Sequence, residues 1–175
     1  MKVEKSLIHR LFYPQVPLVM AALAGGRVSA MPVVSYASVS EDPPLIAVAC
    51  SPKGFTCRLA LRSRCYSLSI LDRGKLEAVS KLATVSGAKV KDKLSEVGLA
   101  YTLGTKLKVP VLRDAVATAE CSLKLHPKVG DHLLLVGEVV SVRASDSFSD
   151  FWDFSNYKPI LYTGWREGLT TFPEH

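Results

Sequence analysis

Gly25 to Thr56 reads GGRVSAMPVVSYASVSEDPPLIAVACSPKGFT. Its apolar runs predict two buried strands joined by a hydroxyl-rich turn, then a short loop that opens a helix. Ser35, Ser38 and Ser40 come just before the break at Asp42-Pro43-Pro44. Ser51, Lys53, Gly54 and Thr56 stand between the apolar run Leu45 to Ala49 and the helical start Cys57-Arg58-Leu59-Ala60-Leu61. Hydroxyls, backbone amides, one lysine and a helix N-terminus together suit a phosphate. No residue in the stretch pairs a nucleophile with an adjacent base. The segment therefore points to a site for a phosphorylated cofactor that brings its own reactivity.

Strand patterns dominate on both sides of this stretch. Upstream, a short helix leads into a strand from Leu18 to Ala24 that ends at the Gly25-Gly26 turn. Downstream, Cys65 to Leu71 is rich in aromatic and aliphatic residues. Ala115 to Leu125 alternates, with Ala117, Ala119, Cys121, Leu123 and Leu125 on one face and Thr118, Glu120, Ser122 and Lys124 on the other. His132 to Val142 is apolar on both faces, as a central strand requires. Pro127 to Asp131 reads as the hairpin between these two strands, and Ile160 to Trp165 as the last strand. Helical patterns cover Phe55 to Ser63, Leu76 to Val85 and Ser147 to Phe154, while lysine-rich Ser86 to Gly98 reads as a mobile loop with part of a helix. Short strands with turn signals and few helices predict a mainly β chain, a closed antiparallel barrel with peripheral helices. Without repeat or linker, residues 1–175 form a single domain.

Composition narrows the function classes. The net charge of +6 comes from 22 basic residues scattered along the chain, with Lys89, Lys91 and Lys93 as the one tight cluster, interrupted by Asp92. A soluble basic surface that steers anionic ligands fits better than a nucleic-acid groove, since aromatic and basic residues do not interleave. No run is long enough to span a membrane. Lys2, Lys5 and Arg10 before an apolar stretch, with Ala22-Leu23-Ala24 beyond it, resemble a signal peptide. Glu4, Pro14, Gln15 and Pro17 interrupt that pattern, and a cytoplasmic location is the preferred reading. Asn156 is the sole asparagine and Gln15 the sole glutamine, a depletion that suits a hot environment. Cys50, Cys57, Cys65 and Cys121 lack metal-ligand spacing, so no metal site is expected. Cys57 falls in the first turn of a helix, where a lowered pKa competes with a plain packing role.

Taken in order, several pieces of this chain resemble the flavin reductase-like proteins of the FMN-binding split-barrel fold. That family includes flavin reductases, flavoredoxins and an archaeal ferric reductase. The matching pieces are Ala30-Met31-Pro32 to Ser40 with Asp42-Pro43-Pro44-Leu45, and Cys50 to Thr56. Further on come Val109 to Leu112, Ala119-Glu120-Cys121, Gly130-Asp131-His132 to Val139, and Pro159 to Tyr162. The resemblance implies a closed antiparallel Greek-key split barrel and a homodimer with FMN, rather than FAD, near the subunit interface. It lays the isoalloxazine ring along the strand Met31 to Tyr36, with Met31, Pro32, Val33, Val34 and Ser35 as its binding residues. The turn Ser38, Val39 and Ser40, and the loop of Cys50, Ser51, Lys53 and Thr56, then reach the ribityl chain and phosphate. Taken singly, these serines are ordinary strand and turn residues, Thr56 a helix cap and Lys53 a surface lysine; their joint spacing carries the reading.

The resemblance also singles out His132 as the catalytic candidate, near the flavin and the nicotinamide; otherwise it is simply the histidine of a hairpin. Tyr162, Trp152 and Trp165 can wall a flavin or pack in the core, and His126 reads as structural. No G-x-G-x-x-G motif is present, so NADH or NADPH must meet the flavin in an open cleft. The expected activity is an NAD(P)H-dependent flavin reductase that passes electrons to free flavin, ferric complexes, oxygen or an acceptor protein. A flavoredoxin-type carrier without turnover shares every motif. A basic nucleic-acid-binding barrel is the third reading.

Overall fold

The computed structural model describes residues 3–164 and 168–171. A 3-10 helix, Lys5–Phe12, precedes a hairpin of β1 (Leu18–Ala24) and β2 (Arg27–Val33). The two residues between them, Gly25 and Gly26, both have positive φ (58° and 69°), as a two-residue hairpin turn demands. Next come β3 (Tyr36–Ser40), β4 (Leu45–Cys50), α1 (Phe55–Ser63), β5 (Cys65–Leu71), α2 (Leu76–Thr84) and α3 (Lys93–Glu96). Two short strands, β6 (Tyr101–Leu103) and β7 (Pro110–Leu112), lead to the long β8 (Ala115–Leu125). β9 (Lys128–Val129), β10 (His132–Ala144), β11 (Leu161–Tyr162) and β12 (Leu169–Thr170) complete the chain.

The main sheet is antiparallel, in the order β2-β1-β5-β8-β10-β4-β3, with β9 added beside β10. The Gly25 to Thr56 stretch thus holds three strands, not the two its pattern suggested. β2 and β3 occupy opposite edges of the sheet, yet only Val34 and Ser35 separate them in sequence. The sheet must therefore curl until its edges meet at that link. No ladder joins β2 to β3 among the described residues, so what the structure shows of the expected barrel is a mainly β, antiparallel sheet curled until its two edges come together. Pro32 suits this seam, because a proline withholds a donor and is tolerated on an edge strand.

Two apolar layers explain the strand patterns. On β1, Leu18, Met20 and Ala22 face an inner core with Val48, Cys57, Tyr66, Leu68 and Leu135. Val19 and Ala21 face an outer core with Val79, Leu82, Leu94, Leu99, Leu112 and Ile160. Both faces of β1 are covered, so it reads as an unbroken apolar run. The polar face of β8 is covered too. Glu120 is buried beneath 104–107 and accepts the backbone N–H groups of Thr105 (3.1 Å), Lys106 (3.2 Å) and Leu107 (2.7 Å). That network compensates for burying a carboxylate. By contrast β10 is only partly covered: Val140 and Val142, near its end, are exposed.

Two further expectations need correction. Ser147 to Phe154 forms turns, not a helix. Asp153 accepts from Ser155 and Asn156, and such local side-chain bonds compete with helical ones. The Ser86 to Gly98 segment is tied down rather than loose. Arg27 Nη2 donates to the carbonyls of Gly87 (3.0 Å), Ala88 (2.9 Å) and Val90 (2.8 Å), and Val28 N–H to that of Lys91 (3.0 Å). The expected last strand shrinks to Leu161–Tyr162, and Trp165 lies outside the described residues. Among the described residues, no helix is long and apolar enough to cross a membrane.

Candidate functional site

The loop after β4 delivers α1 with an open N-terminus. Gly54 is its N-cap, and no side chain caps the first turn. Thr56, expected as a cap or ligand, is instead buried, its Oγ1 2.8 Å from Ser29 Oγ on β2. The hydroxyl pair fixes the start of α1 against β2. The free amides of a helix start carry partial positive charge, and they open onto a cavity of about 430 Å3. Lys53 and Lys93 line that cavity together with Met31, Pro32 and Phe55. Arg27 and Arg58 stand over the Phe55 ring at 4.6 and 5.6 Å, adding to the positive field.

Lys93 is the unusual member. It is buried, yet its ammonium has no ion pair or hydrogen bond among the described residues. Burial alone draws its pKa down to about 8. Beside it, burial disfavours the Asp92 carboxylate, but hydrogen bonds from Ser95 and Tyr101 outweigh this and hold its pKa below the usual range. Asp92 is therefore spent on capping α3 and on Tyr101. A partly desolvated cation without a partner at a cavity wall is costly, and an anion in the cavity offsets that cost.

A second cavity, of about 620 Å3, adjoins the first; Pro32 and Ala83 line both. Its wall is apolar and aromatic, with Pro17, Val34, Leu169 and the edge-to-face pair Tyr13 and Tyr162 (ring centroids 5.0 Å apart, 74° between planes). Together the cavities make a groove with a cationic end and an apolar, aromatic end. Cofactor sites commonly have this size and this division of chemistry. A planar ring attached to a phosphate by a polar chain fits that layout.

The structure brings only some of the expected residues to the groove. Met31, Pro32, Val34, Lys53 and Thr56 line it. Val33 points into the inner core, and so does Cys50, whose Sγ lies 2.7 Å from Cys57 Sγ. Ser35, in the link before β3, and Ser38, Val39 and Ser40 on β3 lie outside both cavities; Ser38 pairs with Ile46 and Val39 is exposed. Ser51 Oγ accepts the Lys53 N–H at 3.3 Å and shapes the loop. His132 lines neither cavity. Leu133 pairs with Cys50, so His132 sits beside the start of the Ser51 to Thr56 loop, with Nδ1 2.7 Å from Asp131 Oδ1. That hydrogen bond holds the Asp131 carboxyl below its ordinary range.

Lys93, Ser29 and Tyr13 are among the groove residues that the sequence pattern did not single out for the site. The three-residue spacing of Leu94 and Val97 was the available signal, since it marks a short helix docked on the core next to Lys93. Among the described residues, no cluster of His, Cys, Asp or Glu is arranged to hold a metal.

Comparison with known proteins shows the family of the chain. The model for the flavin reductase like domain matches residues 9–163. An uncharacterised protein of Aeropyrum pernix is 31% identical over 90% of this chain, which spans 60% of that relative's length. A flavin reductase of Pseudomonas putida is 30% identical over 70% of this chain and 69% of its own. An FMN-binding protein from Thermus thermophilus, solved with 1-cyclohex-2-enone bound, superposes with a TM-score of 0.82 at 32% identity, covering 98% of this chain and 92% of that one. The family match runs through the whole main sheet and both cationic elements of the groove, and the chain belongs to the flavin reductase-like domain family.

Proposed function

We propose that this chain binds FMN in the groove and acts as an NAD(P)H-dependent flavin oxidoreductase. The carrying observation is the unpartnered ammonium of Lys93, a buried residue that lines the cavity beside the uncapped start of α1, continuous through Pro32 with an apolar, aromatic cavity. In this reading Lys53, Lys93 and the first amides of α1 hold the phosphate through charge-assisted hydrogen bonds. Met31, Pro32 and Val34 flank the ring, and Tyr13 and Tyr162 close its far end against water. When bound, the flavin supplies two-electron chemistry with a nicotinamide. The residues of the chain orient the ring and limit what reaches it. The names of the Pseudomonas putida and Thermus thermophilus relatives support the same assignment.

His132 lines neither cavity of one chain, although it stands beside the loop that carries Lys53. A role in nicotinamide access therefore goes with a homodimer, in which the β9–β10 hairpin of one copy meets the groove of the other. Oxidation of NADH and NADPH by the purified protein, with and without added FMN, tests the proposal. FMN-dependent loss of either nicotinamide is the expected result. Flavin bound without turnover replaces the reductase by a flavoredoxin-like carrier, and no flavin binding at all overturns the reading.

A further inference from the structure

Two cysteines flank the loop from Ser51 to Thr56. Cys50 is the last residue of β4, and Cys57 lies in the first turn of α1. Their sulfurs are 2.7 Å apart in the inner core, whereas Cys121 is buried without a neighbouring thiol partner and Cys65 is half-buried. We infer that Cys50 and Cys57 form a reversible disulfide that fastens the two ends of this loop. The sulfurs are already in contact, so bonding asks only for a small approach to the ~2.05 Å of a disulfide. The backbone is held on both sides: Leu133 pairs with Cys50, and Gly54 N–H donates to the Ser51 carbonyl at 2.9 Å.

The chemistry is ordered by the same contact. The Cys50 thiol donates to Cys57 Sγ, and this bond, aided by Arg58, favours the Cys57 thiolate although burial opposes it. The Cys50 thiol is held protonated by the same bond and by burial. Hydrogen peroxide, the product of two-electron reduction of dioxygen by a reduced flavin, is a sufficient oxidant. The Cys57 thiolate attacks one peroxide oxygen and breaks the O–O bond, giving a sulfenic acid and hydroxide. Cys50 sulfur then displaces the sulfenic hydroxyl and gives up its proton, so two thiols and one peroxide become one disulfide and two waters. A low-molecular-weight thiol reverses the bond by exchange. Disulfides do persist inside cells of hot-environment organisms.

The bond would brace the loop that carries Lys53 and opens α1. If the FMN site is as proposed, a braced loop releases FMN more slowly, by roughly two- to tenfold. The disulfide itself does not depend on that reading. The native protein is treated with hydrogen peroxide, blocked with N-ethylmaleimide in denaturant, and digested with trypsin, which cuts after Lys53 and Arg58 and so separates the two cysteines. The expected result is the Val28 to Lys53 peptide joined to Gly54 to Arg58, with Cys65 and Cys121 blocked. Blocked Cys50 and Cys57, a sulfinic acid on Cys57, or a link to Cys65 or Cys121 overturns it. FMN release is timed on the oxidised and thiol-reduced samples. An unchanged rate despite joined peptides refutes the bracing, whereas failure to bind FMN in either state counts against the FMN site and leaves the disulfide standing.

Discussion

Replacing Lys93 with methionine removes one charge from the groove and keeps most of the side chain's length. Lys93 is 5% exposed, and burial lowers its pKa from 10.5 to about 8. That difference corresponds to about 3 kcal/mol of unfavourable free energy at neutral pH. It is an upper figure, because the residue borders the open cavity; a gain of about 1–2 kcal/mol in apo-protein stability is expected from Lys93→Met. The sign follows from the lowered folded pKa: the chain releases a proton on folding between pH 8 and 10.5. The penalty is therefore full below about pH 8 and fades as pH rises toward 10.5. The bound phosphate, in turn, loses a charge-assisted hydrogen bond of about 1.5–3 kcal/mol. FMN affinity at pH 7 then falls roughly ten- to a hundredfold. Wild-type affinity should also decline above pH 8, as the free ammonium loses its proton, and the variant should lack that decline. Urea denaturation of the apo-protein and fluorescence titration with FMN from pH 6 to 10 measure both effects. A variant that is less stable yet binds FMN as well as wild type would make Lys93 a packing strut and refute the reasoning.

Three other perturbations test separate parts of the structure. His132→Ala should keep most FMN affinity and slow flavin reduction by nicotinamide in anaerobic stopped-flow; an unchanged rate returns His132 to its turn beside Asp131. Gly137→Ala should destabilise the chain by about 1–3 kcal/mol in urea denaturation, because a Cβ there would sit 2.5 Å from the Tyr66 hydroxyl and 3.0 Å from Cys121 Cβ. A homodimer linked to FMN should appear in light scattering across a dilution series, with FMN shifting the transition to lower protein concentration. Leu125, Val129 and Val142, exposed on β8 to β10, are the apolar residues such an interface would cover; a monomer at micromolar concentration with FMN fully bound refutes it.

Much of the fold was legible because burial dictates periodicity. β1, β5, β8 and α1 follow the sequence pattern residue for residue, and Gly25-Gly26 marks its hairpin without ambiguity. The place where the sheet's two edges come together was not legible, since nothing in the local pattern of Val34 and Ser35 marks them as the link between opposite edges. Ser147 to Phe154 failed as a helix because Asp153 offers its neighbours local bonds that periodicity ignores. In the site, Lys53 and the start of α1 were visible as a hydroxyl- and amide-rich loop before a helix. Lys93 was hidden, because a lysine among lysines reads as solvated surface until the chain is seen to fold it under. The serines Ser35, Ser38 and Ser40 lie outside both cavities, and edge-strand serines and ligand serines look alike in sequence.

Titration of the apo-protein with FMN and with riboflavin compares two ligands that share a ring and differ only in the phosphate. If Lys53, Lys93 and the open end of α1 hold that phosphate, FMN binds at least about tenfold more tightly, since each charge-assisted hydrogen bond contributes about 1.5–3 kcal/mol. Equal affinities for the two flavins would contradict the assignment of the groove's cationic end.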